Sequence, residues 1–318
     1  MCYQAQKCCI AREISDQSGE SAALGNLGLV YYSLSKYRQA IDYHLQHLSI
    51  AREISNRQGE GTALGNLGLV YYSLGEYQQA IDYHLQALDI SREIGNRQGE
   101  GIALGSLGIA YHGVGECQQA LNYHLQALDI SREIGNRQGE GAALGSLGGV
   151  YHSLGEYQQA IDYHLQALDI SREMSNRYGE SIELGSLGLV YCSLGNYQQA
   201  IDYHLQHLNI AREIGERQGE GDALFNLGKT FIQLERYSEA LENLQLALEI
   251  FKTIGDRHGE AKVYKNLAIL YHQTGRLPLA QEFCQQALAI ALELGIPLAQ
   301  DCQTLRDKLE EEPNVSNS

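Results

Sequence analysis

A 40-residue period runs through this chain from Asp16 to Gly295, and no other feature constrains its fold as strongly. The block Gly-Glu-x-x-Ala-Leu-Gly-Asn/Ser-Leu-Gly-x-x-Tyr starts near Gly19. It returns near Gly59, Gly99, Gly139, Gly179, Gly219 and Gly259, more loosely in the last two copies. A unit of this length buries its apolar face only against its neighbours, so the period predicts one continuous stacked array. The length of 318 residues would otherwise suggest two ordinary domains.

The copy from Asn56 to Gly95 serves as the type unit. Apolar residues at Ala63, Leu64, Leu67, Val70, Tyr71 and Leu74 recur at three- and four-residue steps, which predicts a helix A from Arg57 to Leu74 with one buried face. Asn56 is placed to cap it, Glu60 lies near the positive end of its dipole, and Gly75 supplies the left-handed residue that ends it. Helix B is expected from Tyr77 to Ile94, with Tyr77, Ala80, Ile81, His84, Ala87, Leu88 and Ser91 inward and Gln78, Gln79, Asp82, Gln86, Asp89 and Glu93 outward. No proline precedes Pro278 to interrupt it. Gly59, Gly61, Gly65 and Gly68 on helix A each cost about 1 kcal/mol relative to alanine, so packing has to offset them. Gly68 follows the buried Leu67 and would let helix B approach closely. Gly65 is open to two readings, a tolerated glycine or room for a ligand backbone.

The balance of 39 acidic against 23 basic residues gives a formal net charge of −16, which disfavours nucleic acid and anionic membrane surfaces as partners. The start has no secretory core and no later stretch is long and apolar enough to span a bilayer, so the expected location is cytoplasmic. The seven cysteines interrupt the repeat at unrelated columns, as reduced thiols of a cytosolic protein would. Cys8 and Cys9 adjoin, with Cys2 near, but no second pair follows to close a metal site.

The run Leu64-x-x-Leu67-Gly68-x-x-Tyr71, followed by Ala80 and His84, resembles the tetratricopeptide signature, with leucine for its first tryptophan. The same columns read Leu24, Leu27, Gly28, Tyr31 and Ala40, then Leu104, Leu107, Gly108, Tyr111 and Ala120. Ala268 later replaces the glycine and Phe231 the tyrosine. The 40-residue variant is similar to the arrays of Pins-type G-protein signalling modulators and of bacterial multi-repeat proteins. The resemblance implies an all-α, right-handed superhelical solenoid of antiparallel helix pairs, an adaptor whose concave groove, lined mainly by A helices, holds an extended peptide or partner segment. It divides the chain into a helix-B remnant at 1–15 and seven pairs at 16–55, 56–95, 96–135, 136–175, 176–215, 216–255 and 256–295. Leu298, Cys302, Leu305 and Leu309 then form the stripe of a capping helix at 296–311, before a disordered tail at 312–318.

If A helices line the groove as the resemblance implies, the partner-facing columns are Asn26, Leu29 and Tyr32, repeated as Asn66, Leu69 and Tyr72, as Ser106, Ile109 and His112, and as Ser186, Leu189 and Cys192. Amides there suit a partner's backbone and leucines its side chains; the plainer reading packs these leucines on the neighbouring A helix. In the last two repeats Lys229, Lys262 and Lys265, flanked by Asn226 and Asn266, either hold an acidic partner or form a solvated lysine face. His44, His84, His124, His164 and His204 make a column one repeat apart, joined by His47 and His207. Because the family places a buried aromatic there, packed and hydrogen-bonded neutral rings are expected rather than metal ligands.

No nucleophile–base grouping or phosphate loop is recognisable, so neither catalysis nor a cofactor is expected. The leading expectation is therefore a non-catalytic protein-interaction scaffold. A second is the sensor arm of a larger signalling enzyme, a caspase-like protease or a signalling ATPase, motivated by the first helix B lacking its helix A. A third is self-association through that half-unit.

Overall fold

Asn56 accepts a hydrogen bond from the Gly59 amide at 2.9 Å, satisfying an orphan donor of the first turn of the helix Arg57–Ser73. The same device opens the other A helices: Asp16, Asn96, Asn136, Asn176 and Asp256 each accept from the glycine three residues on. Glu216 does so too, with a longer arm. Gly75 ends the turn after this helix with φ +77°, so the helix stops within one residue of the expected boundary. Its counterpart Ser35 reaches φ +56° without being glycine, as do Ser55, Ser175 and Glu235 at other turns.

The computed structural model describes residues 2–311, every element of which is an α-helix, and the expected tail at 312–318 lies outside them. The chain divides into two units, one up to Ile170 and one from Ser171. The first holds α1 (Cys2–Glu13), α2 (Gln17–Ser33), α3 (Tyr37–Glu53), α4 (Arg57–Ser73), α5 (Tyr77–Glu93), α6 (Arg97–Gly113), α7 (Cys117–Glu133), α8 (Arg137–Ser153) and most of α9 (Tyr157–Glu173). Here α2/α3, α4/α5 and α6/α7 are antiparallel A/B pairs, and each A helix also meets the next A helix, α2 with α4, α4 with α6 and α6 with α8. The core threads between them through Leu64, Leu67, Leu104, Leu107, Leu144 and Leu147. Each is essentially solvent-free and contributes about 1.5–3 kcal/mol of burial.

The second unit holds α10 (Arg177–Ser193), α11 (Tyr197–Glu213), α12 (Arg217–Gln233), α13 (Tyr237–Ile254), α14 (Arg257–Gln273), α15 (Leu277–Leu294) and α16 (Leu298–Glu311). Its core is bulkier and more aromatic, built on Phe231, Leu244, Phe251, Tyr264 and Tyr271. Cys302 and Leu309 of α16 are buried against it.

The glycine reading holds at Gly68. A Cβ there would stand 2.5 Å from a ring carbon of His84, and Gly28 and Gly108 stand equally close to His44 and His124. One correction concerns these rings. They are buried, yet neither nitrogen of His44 has a protein partner, and Nδ1 of His124 and His204 has none either. The wall facing each ring is a helical glycine whose own backbone groups are already bonded within the helix. Burial accordingly pushes His44, His84 and His124 down to about 4.

Glu60 also differs from expectation, because it is buried rather than merely near a dipole. Arg52 Nε donates to it at 2.8 Å and Arg57 from the other side at 2.5 Å. Desolvation lifts its pKa, and the two guanidinium bonds outweigh that and hold it below the usual range. Arg57 also pairs with Glu93, so the arrangement ties helix starts to helix ends, and it recurs at Glu100.

Candidate functional site

The A helices of the first unit leave an uncharged strip at the surface. Leu69 is 39% exposed and Ile109 43%, while Asn66 and Ser106 are half-buried one turn before them. Asn66, Leu69 and Ser106 are brought together around a groove of about 420 Å³ on α4, α5 and α6, with Gly65 and Ala87 at its floor. A second groove of about 210 Å³ lies on α6, α7 and α8 and takes in Ser106 and Ile109 over Gly105 and Ala127. Asn26 lines a separate hollow of about 320 Å³ with Lys7 and Ile10 of α1 and Ile14 of the turn that follows it. Leu29 is exposed.

The aromatic column has partners inside the chain. Tyr32 bonds to Ser73 at 3.0 Å, and His112 Nε2 to the Ser153 hydroxyl at 2.8 Å, tying α2 to α4 and α6 to α8. Tyr72 packs its ring on Tyr77 at 5.4 Å. Burial lowers the pKa of His112.

In the second unit Leu189, Cys192, Asn226, Lys229 and Asn266 converge on a hollow of about 270 Å³, and Ser186 is half-buried on α10. Cys192 Sγ lies 3.0 Å from Thr230 Oγ1 and 3.9 Å from His204 Nε2. Burial raises the thiol's pKa and pushes His204 down to about 3, so neutral thiol faces neutral imidazole. A thiolate nucleophile is disfavoured there.

The three lysines differ from one another. Lys265 donates to Asp301 of α16 at 2.6 Å, so its charge already has a carboxylate. Lys229 is exposed, with its Nζ 5.7 Å from the Phe225 ring centre. Lys262 is half-buried, its carbonyl accepting from Asn266, and its charge acts on Asp222. Among the described residues no group of three or more His, Cys, Asp or Glu could hold a metal ion, and no helix is long and apolar enough to cross a membrane.

Sequence reasoning passed over Ile102, which is 62% exposed between the two first-unit grooves, and the amides Gln58, Asn96, Gln98 and Asn136 at their edges. It named His47 and His207 without weighing that the same B-helix column carries Ala87, Ala127, Ala167 and Ala247 in the other repeats, a signal visible by aligning them.

A family model for the tetratricopeptide repeat matches residues 19–93, 59–133, 99–173, 180–253 and 233–293. Curated proteins give no sequence match. Among solved structures, the apo form of RapI superposes with a TM-score of 0.69 at 18% identity, covering 91% of this chain and 99% of its own. A Rap protein complexed with competence and sporulation factor gives 0.60 at 17%, covering 98% of both chains. A signal transduction ATPase with numerous domains and a tetratricopeptide repeat sensor, from Pyrococcus horikoshii, gives 0.68 at 20%, covering 93% of this chain and 45% of that one.

Proposed function

The chain belongs to the tetratricopeptide repeat family, and from that premise we propose that it works without chemistry of its own, holding an extended protein or peptide segment along the exposed faces of its A helices. The observation that carries this is the uncharged strip of Asn66, Leu69, Ser106 and Ile109, in which exposed aliphatic groups alternate with amides and hydroxyls over two grooves. Such a strip offers a partner's backbone hydrogen-bond partners and its side chains apolar contact, which is how a helical groove recognises an extended chain. That a Rap protein of this fold was solved with competence and sporulation factor supports a binding role for the fold.

In the second unit, an acidic portion of the partner would meet Lys229 and Lys262 rather than Lys265, which Asp301 already engages. Unpaired cysteines such as Cys9 and Cys117 fit a reducing, cytoplasmic setting. A second reading, the sensor arm of a larger signalling protein, draws on the multidomain ATPase, of whose length this chain spans less than half.

Selection of 12-residue peptides by display on the immobilised protein tests the scaffold reading. Leu69→Glu/Ile109→Glu, two exposed positions whose change leaves the core alone, should weaken selected peptides by about tenfold or more. Full affinity in that variant, or no selectable peptide at all, removes the first unit's A-helix face as the binding surface.

A further inference from the structure

We propose that the hollows over Gly65 and Gly105 are ring slots, each receiving an uncharged aromatic side chain, of the phenylalanine kind, from the segment bound along α4, α6 and α8. This rests on the scaffold reading above and adds the chemistry of the occupant.

The chain itself shows what fits such a slot. A Cβ on Gly25 would stand 2.9 Å from Nδ1 of His47, and one on Gly185 would stand 2.9 Å from Nδ1 of His207, so in those pairs an imidazole fills the space over the A-helix glycine. In α4/α5 and α6/α7 the histidine is Ala87 or Ala127, nothing lies within 4 Å of a Cβ on Gly65 or Gly105, and there the two grooves open. The exchange is coordinated. His47 and His207 are followed four residues on by Ala51 and Ala211, whereas Ala87 and Ala127 are followed by Ser91 and Ser131, which line the slots. In α12/α13 the glycine column itself carries a ring, Phe225 opposite Ala247, packed on the local core. The space over this column is thus filled by imidazole twice, and the column itself carries a phenyl once and, in α14, Lys265.

The slots also select against charge. No Asp, Glu, Lys or Arg lines either one. Nδ1 of His47 and His207 finds no protein partner in that place, and in the open slots the polar groups on the B-helix side are confined to the Ser91 and Ser131 hydroxyls and the His84 and His124 rings. A carbocyclic ring needs no partner there, whereas a polar ring must bond one of these few groups or give up its hydration. At the mouth, Asn66, Asn96, Gln98 and Ser106 can bond the backbone on either side of the inserted residue.

The test uses the full chain, isotope-labelled for amide NMR, with N-acetyl-phenylalaninamide as probe and N-acetyl-alaninamide as the ring-less control. The phenyl probe should shift the Gly65 and Gly105 amides saturably, with the control about tenfold or more weaker. The plugged variant Ala87→His/Ser91→Ala/Ala127→His/Ser131→Ala copies pairs already present in the chain and should lose those shifts while keeping its helicity. The converse variant His47→Ala/Ala51→Ser should gain a shift at Gly25, which decides the matter should the plugged chain fail to fold. Equal response to both probes, or shifts untouched by plugging, overturns the slots. If displayed peptides bind the plugged variant undiminished yet are lost from Leu69→Glu/Ile109→Glu, the slot inference falls and the scaffold reading stands.

Discussion

The pairs α4/α5 and α6/α7 and the pairs α12/α13 and α14/α15 solve one packing problem with different side chains. In the former a helix-A glycine, Gly68 or Gly108, receives the imidazole of His84 or His124. In the latter Gly228 receives Leu244, and the last pair sets Ala268 against Cys284, a small side chain on each helix. The two columns are complementary in size, so what the fold requires is a filled gap rather than any one residue type. The histidine solution brings in a titratable ring with few protein partners; the leucine and cysteine solutions do not. Over the neighbouring glycine column the surface stays open at Gly65 and Gly105, whereas α12 carries Phe225 in that column, packed on the local core.

Acid should separate the two solutions most strongly. Buried His44, His84 and His124 have folded pKa values near 4 against 6.5 unfolded, so their neutral form is fully compatible with the fold above pH 6.5. As pH falls from there toward 4 the unfolded chain takes up protons first, and stability is lost, up to about 3 kcal/mol for each ring at the limit. Thermal unfolding followed by circular dichroism should show a lower midpoint at pH 5 than at pH 7. His84→Leu/His124→Leu, copying Leu244, should flatten that dependence; an unchanged slope would mean these rings are not what acid attacks.

Next in size is the steric half of the comparison. Gly68→Ala drives a methyl into the His84 ring and should cost about 2 kcal/mol net, the overpacking exceeding the roughly 1 kcal/mol gained in helix propensity. Adding His84→Cys reproduces the Ala268–Cys284 pair and should recover most of the loss. Urea unfolding of the single and double variants measures the coupling, and plain additivity would break the claim that the columns are complementary.

A smaller effect distinguishes the turns. Ser35 holds φ +56° where the same column elsewhere has Gly75 and Gly115, so Ser35→Gly should stabilise by about 1 kcal/mol and Gly75→Ser destabilise by a similar amount. Smallest is Lys265→Met, which removes the pair with the largely exposed Asp301 and should cost under about 1 kcal/mol, less in high salt.

Much of the fold was legible in the sequence. Asn56 and Gly75 mark the ends of α4, and the leucine steps mark its buried face, because capping and helical periodicity are local rules read over four residues. The site was less legible. Tyr32 and His112 look like free aromatics along one helix, and only the neighbouring A helix, 40 residues on, supplies Ser73 and Ser153 to engage them. Lys265 looked like an open cation until α16 brought Asp301 beside it.

By itself, then, the sequence determined an array of paired helices, since a period that recurs in register leaves each unit only its neighbours to bury against. It could not decide what its glycines are for. A glycine states only that a side chain is missing. Whether the vacated space at Gly68 is filled by His84, or at Gly65 stays open, depends on atoms that a partner helix brings from elsewhere in the chain, and that only the packed structure specifies.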